Sequence, residues 1–546
     1  MANFEFRFTD SLEKVFPVNP PNAIQMNDIT IFQNEHFSFQ IAYYSHENNK
    51  VHILLEADNT IETSISLVKK VPSTFPAYAD SHDENYLSIS PGLFPDLLKP
   101  VTAEGIELET DGWNSIWVDV LPKSEASGEK RLKIIITDEN HHSIYEQSLT
   151  IRVIPYALPE QKLIHTQWFH TDCLADYYNV EVFSEEHWRI IKNFIQTANE
   201  NGINMILTPI FTPPLDTKVG GERTTVQLVQ ISYKNGKYDF DFTLLKKWLE
   251  LCIRKGIKYI EIAHLFTQWG AEFTPKIMVL ENGKLIKKFG WDVAADSTEY
   301  RLFLDSFLPE LTEFLKANWN SDKIYFHISD EPNETNIATY SKAKEIAEPY
   351  LKEFKIIDAL SDYSFYQNGI VTKPVVANDH IQTFLDHHVP NLWTYYCCAQ
   401  NQKVSNRFMA MPSARNRIIA TQLFKYDIEG FLHWGYNFYR SQYSIEPINP
   451  YEITDAKGAF PSGDTFLVYP GENGEAIPSI RSRVFYQALQ DLRAFQWLER
   501  LKGKAFVLNI IEKSYTITFD DYPKEKEYIF QIREEINREI EKALSE

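Results

Sequence analysis

Lys323-Ile324-Tyr325-Phe326-His327-Ile328-Ser329-Asp330-Glu331-Pro332 is an apolar run of strand length that ends in two adjacent acids and a proline. Strand side chains alternate between faces, so neighbouring carboxylates share a pocket only where the strand stops. Pro332 supplies the stop. The residue before a proline is driven out of the helical region, which predicts an extended Glu331 as the chain leaves the strand. The bland reading is a pair of acids ahead of a helix starting near Thr335, where the helix dipole favours negative charge.

Short apolar runs recur on both sides of this stretch. Candidate strands lie at 163–169, 204–210, 258–264, 323–329, 355–360, 374–378, 392–397 and 431–436, with helical periodicity between them. Ser184-Glu185-Glu186 opens one helix with an N-cap and early acids, and Trp188, Ile191, Phe194 and Ala198 line its inner side. Leu244, Leu245, Trp248, Leu249 and Cys252 do the same in the next. Eight such units predict a (β/α)8 TIM-type barrel over 158–505, with its site at the C-terminal ends of the strands. Asp330 and Glu331 then stand at the end of the fourth strand. Asn235-Gly236 and Asn282-Gly283 predict hairpins inserted in the loops at that face.

The flanks differ from the centre, and the fold class expected is multidomain, all-β followed by α/β. Alternation in Phe37-Ser38-Phe39-Gln40-Ile41-Ala42-Tyr43 and in Leu132-Lys133-Ile134-Ile135-Ile136 predicts an N-terminal β-sandwich over 1–157. Ile154-Pro155-Tyr156-Ala157-Leu158-Pro159 reads as the linker. Beyond Tyr439 a loop with Pro447, Pro450, Pro461 and Pro470 leads to a helix near 483–501. A small C-terminal α/β extension, 506–546, is expected to hold a strand at 515–519 and a charged helix at 525–544.

Composition narrows the partners. The 546 residues are 44% hydrophobic and 14% aromatic, which describes a folded chain. A net charge of −21 disfavours nucleic acid and anionic membrane, since both reward clustered Lys and Arg. The four cysteines make no disulfide framework, and Cys397-Cys398 reads as two strand residues. No basic-then-apolar leader and no long apolar run is present, so a cytoplasmic location without membrane contact is expected. The composition is compatible with a homo-oligomer without requiring one. Histidines cluster at His165 with His170, at His141-His142 and at Asp386-His387-His388, but none has a zinc spacing. With no GxSxG, Walker or GxGxxG motif either, neither a metal nor a cofactor is expected.

Glycoside hydrolysis ordinarily uses two carboxyl groups on different elements. The chain has no acid between Asp386 and Asp427, so strand seven cannot supply one. An adjacent Asp-Glu pair suits a mechanism in which the substrate's own 2-acetamido group is the nucleophile. Glu331 would protonate the glycosidic oxygen and later activate water, while an ionised Asp330 would hold the acetamido N–H and stabilise the oxazolinium. That requires an environment that keeps Glu331 protonated and Asp330 ionised. Aromatic residues at strand ends, Trp168, Phe169, Trp269, Trp393, Tyr395, Tyr396, Trp434 and Tyr436, suit sugar stacking, with Asn437 to read a polar group. His264 and His327 are expected to line the pocket. Each aromatic is equally well a core residue.

Three motifs carry a resemblance. They are His327-Ile328-Ser329-Asp330-Glu331-Pro332, Gly430-Phe431-Leu432-His433-Trp434-Gly435-Tyr436-Asn437, and Gly463-Asp464-Thr465-Phe466-Leu467-Val468-Tyr469-Pro470-Gly471 leading to Pro478-Ser479-Ile480-Arg481. With Ser115-Ile116-Trp117-Val118-Asp119-Val120 in the N-terminal region, the chain resembles glycoside hydrolase family 123 over nearly its whole length. The resemblance implies a retaining exo-β-N-acetylgalactosaminidase working by substrate assistance, with Asp330 orienting the acetamido group and Glu331 as acid/base. Asp464 and Arg481 join the candidates: Asp464 reads a hydroxyl or caps its own turn, and Arg481 holds a hydroxyl pair, braces a catalytic carboxylate or makes a salt bridge between loops. Alternatives are a β-hexosaminidase or β-glycosidase of other sugar specificity, and a carbohydrate-binding protein without turnover.

Overall fold

The alternating runs near the N-terminus become two five-stranded sheets. The computed structural model describes residues 4–23, 29–47, 49–101, 105–110 and 112–546. One sheet runs Phe4–Asp10, Phe37–Ser45, Trp113–Pro122, Ile61–Ser73, Gly92–Pro100 in spatial order; the other runs Ile29–Gln33, Ser143–Ala157, Gly128–Thr137, Lys50–Glu56, Ile106–Glu107. Period-two alternation gives each sheet one apolar face, and Ile41, Ile116, Val118, Ile134 and Ile136 form their shared core.

The chain then enters a barrel-like parallel sheet with helices. Its strands are Ile164–Gln167, Met205–Thr208, Tyr259–Ile262, Ile324–Phe326, Lys355–Ile356 continued by Asp358–Leu360, Pro374–Ala377, Trp393–Tyr395 and Gly430–His433. The last pairs with both the first and the seventh. The fifth is split at Ile357: its first half pairs with Ile324–Phe326 and its second with Pro374–Ala377. Gly430 is required where it stands, because a Cβ there would meet the Trp393 ring at 2.1–2.6 Å.

One long helix begins at a polar cap read from the sequence. Ser184 Oγ accepts the His187 N–H at 3.2 Å and starts Glu185–Glu200, a cap worth about 1 kcal/mol. Both Asn-Gly turns form as expected, with Asn235 and Asn282 near φ 53° and 52° and each following glycine at 77°. The hairpins Gln230–Lys234/Lys237–Asp241 and Ile277–Glu281/Lys284–Phe289 join side by side in one four-stranded sheet.

The C-terminal strand expected at 515–519 is absent. The carbonyls of Ile517, Thr518 and Phe519 are instead taken by Lys425, Tyr426 and Gln422 side chains, so Ile517 and Phe519 are buried without a ladder. The extension is helical, Lys504–Ile511 and Lys526–Ser545, and the 505/506 boundary falls inside the first of these. No helix among the described residues is long and apolar enough to cross a membrane.

The all-β region is locked to the barrel-like part by buried charge. Arg481 forms a bidentate pair with Asp96 at 2.8 and 2.9 Å, and Lys14 donates to the Met409 and Met411 carbonyls at 2.7 Å. Burial pulls the Lys14 ammonium down to about 7, with Asp96 opposing.

Candidate active site

The fourth strand ends at Phe326, and the acid pair follows in a corner rather than an extended segment. Glu331 sits at φ 44°, in the left-handed region, against the extended conformation expected before Pro332. Tertiary bonds outweigh the local preference. Trp269 N–H donates to Asp330 O at 2.8 Å, Ser329 Oγ–H to Thr267 O at 2.7 Å, and Asn336 Nδ2–H to Trp269 O at 3.0 Å. Gly270 makes the approach possible, since a Cβ there would lie 2.5 Å from Asn336. Such strain persists only where surrounding bonds over-determine it.

Both carboxyl groups open into a cavity with about 760 Å³ of space continuous with solvent. Of the residues singled out in the sequence, Asp330, Glu331, Trp168, Trp269, Tyr395 and Trp434 line it together. Tyr395 O–H donates to Glu331 Oε1 at 2.8 Å. Trp434 Nε1–H donates to Asp464 Oδ2 at 2.9 Å, so Asp464 holds the indole from behind; burial pushes its carboxyl up to about 7. At the rim Trp269 and Tyr443 stand edge to face at 6.1 Å, each about two-fifths exposed.

The remaining candidates lie elsewhere. Trp393 is at the start of strand seven, against Gly430 and Tyr325 at the opposite end of the barrel. Tyr436 faces outward, stacked with Phe169 and donating to Phe194 O at 3.0 Å. Asn437 brackets the His170 backbone through both amide atoms. Arg481 makes the long-range pair with Asp96 described above. Tyr396 is buried against Phe431 and His433.

His264 and His327 do not line the cavity; they lie below it. His327 gives both ring nitrogens to carboxylates, Nε2 to Glu261 at 2.6 Å and Nδ1 to Asp358 at 3.2 Å. Trp168 Nε1–H and Thr166 Oγ–H also donate to Glu261, and Tyr340 O–H to Asp358. Burial opposes the imidazolium, but the bonds and charges of Asp358 and Glu261 prevail and raise it to about 10. His264 stacks on it at 4.2 Å, neutral, held well below the usual histidine range by burial and by the His327 charge. Ligand-type atoms of His264, His327 and Asp358 fall within 4.8 Å of one another. Because His327 is already engaged at both nitrogens, this is the wiring of a buried cation rather than a metal cage.

The two acids are held by different surroundings, and each carboxyl is raised. Burial raises both carboxyls; the Glu331 charge raises Asp330 further, His327 pulls it down, and the Tyr395 hydroxyl pulls Glu331 down. The expected assignment, Glu331 protonated beside an ionised Asp330, is thus not imposed by the protein groups around the pair. Asp330 is the more strongly raised.

A third acid enters the cavity that sequence reasoning missed. Asp216 follows Pro213-Pro214-Leu215 after strand two, lines the cavity and accepts the Tyr443 N–H at 3.0 Å. Burial raises its carboxyl to about 6. The two prolines after a strand end were the available signal. Gln268, Gln442, Phe460 and both Cys397 and Cys398 also line the cavity.

Acids held at the mouth of a barrel-like parallel sheet, inside a cavity walled by indole and phenol rings, are the equipment of a glycoside hydrolase. The chain belongs to glycoside hydrolase family 123: the family model described as glycoside hydrolase 123, catalytic domain, matches residues 168–498. A solved structure of a family 123 glycoside hydrolase from Clostridium perfringens has a similar fold, with TM-score 0.73 at 16% identity, over 99% of this chain and 98% of that one. A putative β-galactosidase from Bacteroides fragilis aligns at TM-score 0.33 and 10% identity, over 84% of this chain and 58% of that one, and carries no argument. No curated protein matches the chain.

Proposed function

We propose that this glycoside hydrolase is a retaining exo-β-N-acetylgalactosaminidase that works by substrate assistance, with the catalytic part a (β/α)8 barrel behind a β-sandwich. The observation that carries it is the locked Asp330-Glu331 corner, which presents two adjacent carboxyls to one aromatic cavity. Glu331 protonates the leaving oxygen while the acetamido carbonyl oxygen attacks C1. Asp330 accepts the acetamido N–H and faces the positive charge of the oxazolinium. Glu331, now ionised and held by Tyr395, takes a proton from water, which opens the oxazolinium with net retention. Substrate decides which carboxyl ionises: an N–H donor on Asp330 and the growing positive charge both favour its anion, leaving the proton on Glu331. Terminal sugars of glycoconjugates are the proposed substrate class; the Clostridium perfringens protein is described in terms of glycolipid glycan hydrolysis.

Asp216 favours a second reading. It offers a carboxylate from a different strand end, as a conventional two-carboxylate mechanism requires. Aryl β-glycosides of N-acetylgalactosamine, N-acetylglucosamine, galactose and glucose, assayed with wild type, Asp330→Asn, Glu331→Gln and Asp216→Asn, separate the two. Turnover confined to acetamido sugars and lost in Asp330→Asn supports substrate assistance. Turnover of galactosides that depends on Asp216 overturns it.

A further inference from the structure

Strand seven ends at Tyr395, and two residues later the chain presents Cys397 and Cys398, both lining the cavity that holds Asp330 and Glu331. Neither is in a disulfide. Their turn is pinned: Gln400 Oε1 accepts the Cys397 N–H at 2.9 Å and its thiol at 3.3 Å, and Asn406 Nδ2–H donates to the Cys397 carbonyl at 2.9 Å. Burial and the neighbouring Cys398 thiol raise the pKa of Tyr78, from the all-β region, and the same thiol and burial raise that of Cys397. Cys173 and Cys252, the other cysteines, are buried and have no cysteine beside them in sequence.

Two chemistries are open to adjacent thiols, and geometry separates them. Consecutive Cα atoms stand about 3.8 Å apart, less than the roughly 4.4–6.8 Å that disulfides span. Direct S–S closure therefore needs distortion of a turn held by three bonds. A larger bridging atom accepts both sulfurs with less movement, and once one sulfur is bound the second attack is intramolecular. Thiols are also the ligands that soft ions select over oxygen and nitrogen donors.

We propose that Cys397 and Cys398 form a chelating site for a thiophilic ligand, a trivalent arsenical or a soft metal cation, whose occupancy closes the sugar cavity. With an arsenoxide the arsenic–oxygen bond breaks and two arsenic–sulfur bonds form. Both thiol protons leave on that oxygen as water, and arsenic keeps its oxidation state. A soft cation displaces the same two protons to solvent. Cys397 is held well above the usual thiol range by the Cys398 thiol, burial and the nearby Glu331 charge, which slows single-site alkylation. The site should thus distinguish two-point from one-point thiol reagents.

The test is phenylarsine oxide on the full chain, followed by intact mass and by aryl glycoside hydrolysis. One phenylarsenic group per chain is expected, removed by 2,3-dimercaptopropanol and not by the same thiol concentration of 2-mercaptoethanol. It should be absent from Cys397→Ser and from Cys398→Ser. Hydrolysis should fall at least tenfold with the adduct and return when it is removed, and residual activity of either variant should be insensitive to the reagent. An adduct that persists in Cys398→Ser, that a monothiol removes, or that leaves hydrolysis unchanged overturns the proposal. Only the activity arm rests on the function proposed above. A chain that hydrolyses no aryl glycoside sinks that function, while the mass still decides the dithiol site. Cadmium in place of the arsenical distinguishes the cation from the organoarsenic source.

Discussion

Tyr395→Phe removes one hydroxyl from the site and little else. The phenol is buried, and its O–H donates to Glu331 Oε1 at 2.8 Å. A hydrogen bond to a charged partner contributes about 1.5–3 kcal/mol. The bond favours the Glu331 anion, against the burial that raises this carboxyl. Its loss moves Glu331 further up, by about 1–2 pH units at 1.36 kcal/mol per unit. In the proposed mechanism Glu331 is protonated for the first step, so the alkaline limb of kcat/KM should shift upward by that amount. It must be ionised for water attack, so breakdown of the intermediate loses the same energy, about 10- to 150-fold in rate. The assay is a kcat/KM profile from pH 4 to 10 with an activated aryl N-acetylgalactosaminide, plus stopped-flow release of the aryl group. An early burst that grows in Tyr395→Phe is expected. An alkaline limb that stays in place or moves down refutes the role given to Tyr395.

Three other expectations concern the frame around the site. Arg481→Met takes the guanidinium from the buried Asp96, leaving the Tyr469 hydroxyl on its carboxylate, and should cost about 3–5 kcal/mol in urea unfolding; a loss under 1 kcal/mol would show that the two regions are not locked by this pair. Gly430→Ala drives a methyl into the Trp393 ring and should cost about 1–3 kcal/mol, read as a lower thermal midpoint. His327 is raised from 6.5 to about 10, so the stability it contributes is complete below about pH 6.5 and lost as pH rises through 10. Urea midpoints should fall over that window in wild type, and the fall should be smaller in His327→Gln; parallel curves would contradict a buried imidazolium.

Much of the frame was written locally. Apolar runs with helical periodicity between them marked the strands of the barrel-like parallel sheet, the Asn-Gly pairs marked both hairpins, and Ser184 marked its helix start. These depend on bonds and side-chain faces within a few residues, which a linear pattern carries. The position of the acid pair was legible for the same reason, because two carboxyls and a proline just beyond an apolar run form a local pattern, although the strand itself stops at Phe326. Three outcomes depended on contacts between distant segments. Trp393 and Tyr395 share a strand and a face, yet only depth along the barrel puts Tyr395 on Glu331 and Trp393 at the far end. Arg481 left a ligand role and a salt bridge equally open because its partner, Asp96, lies 385 residues away in the all-β region. Glu331 left the extended region because the Trp269 loop, far upstream in the chain, is tied across the corner by backbone and Asn336 bonds. Sequence by itself marked most of the elements that form and where the candidate acids lie along the chain. Tertiary structure alone decided which rings and charges meet them, since burial, and with it every shifted carboxyl and the buried imidazolium, exists only once distant segments exclude water together.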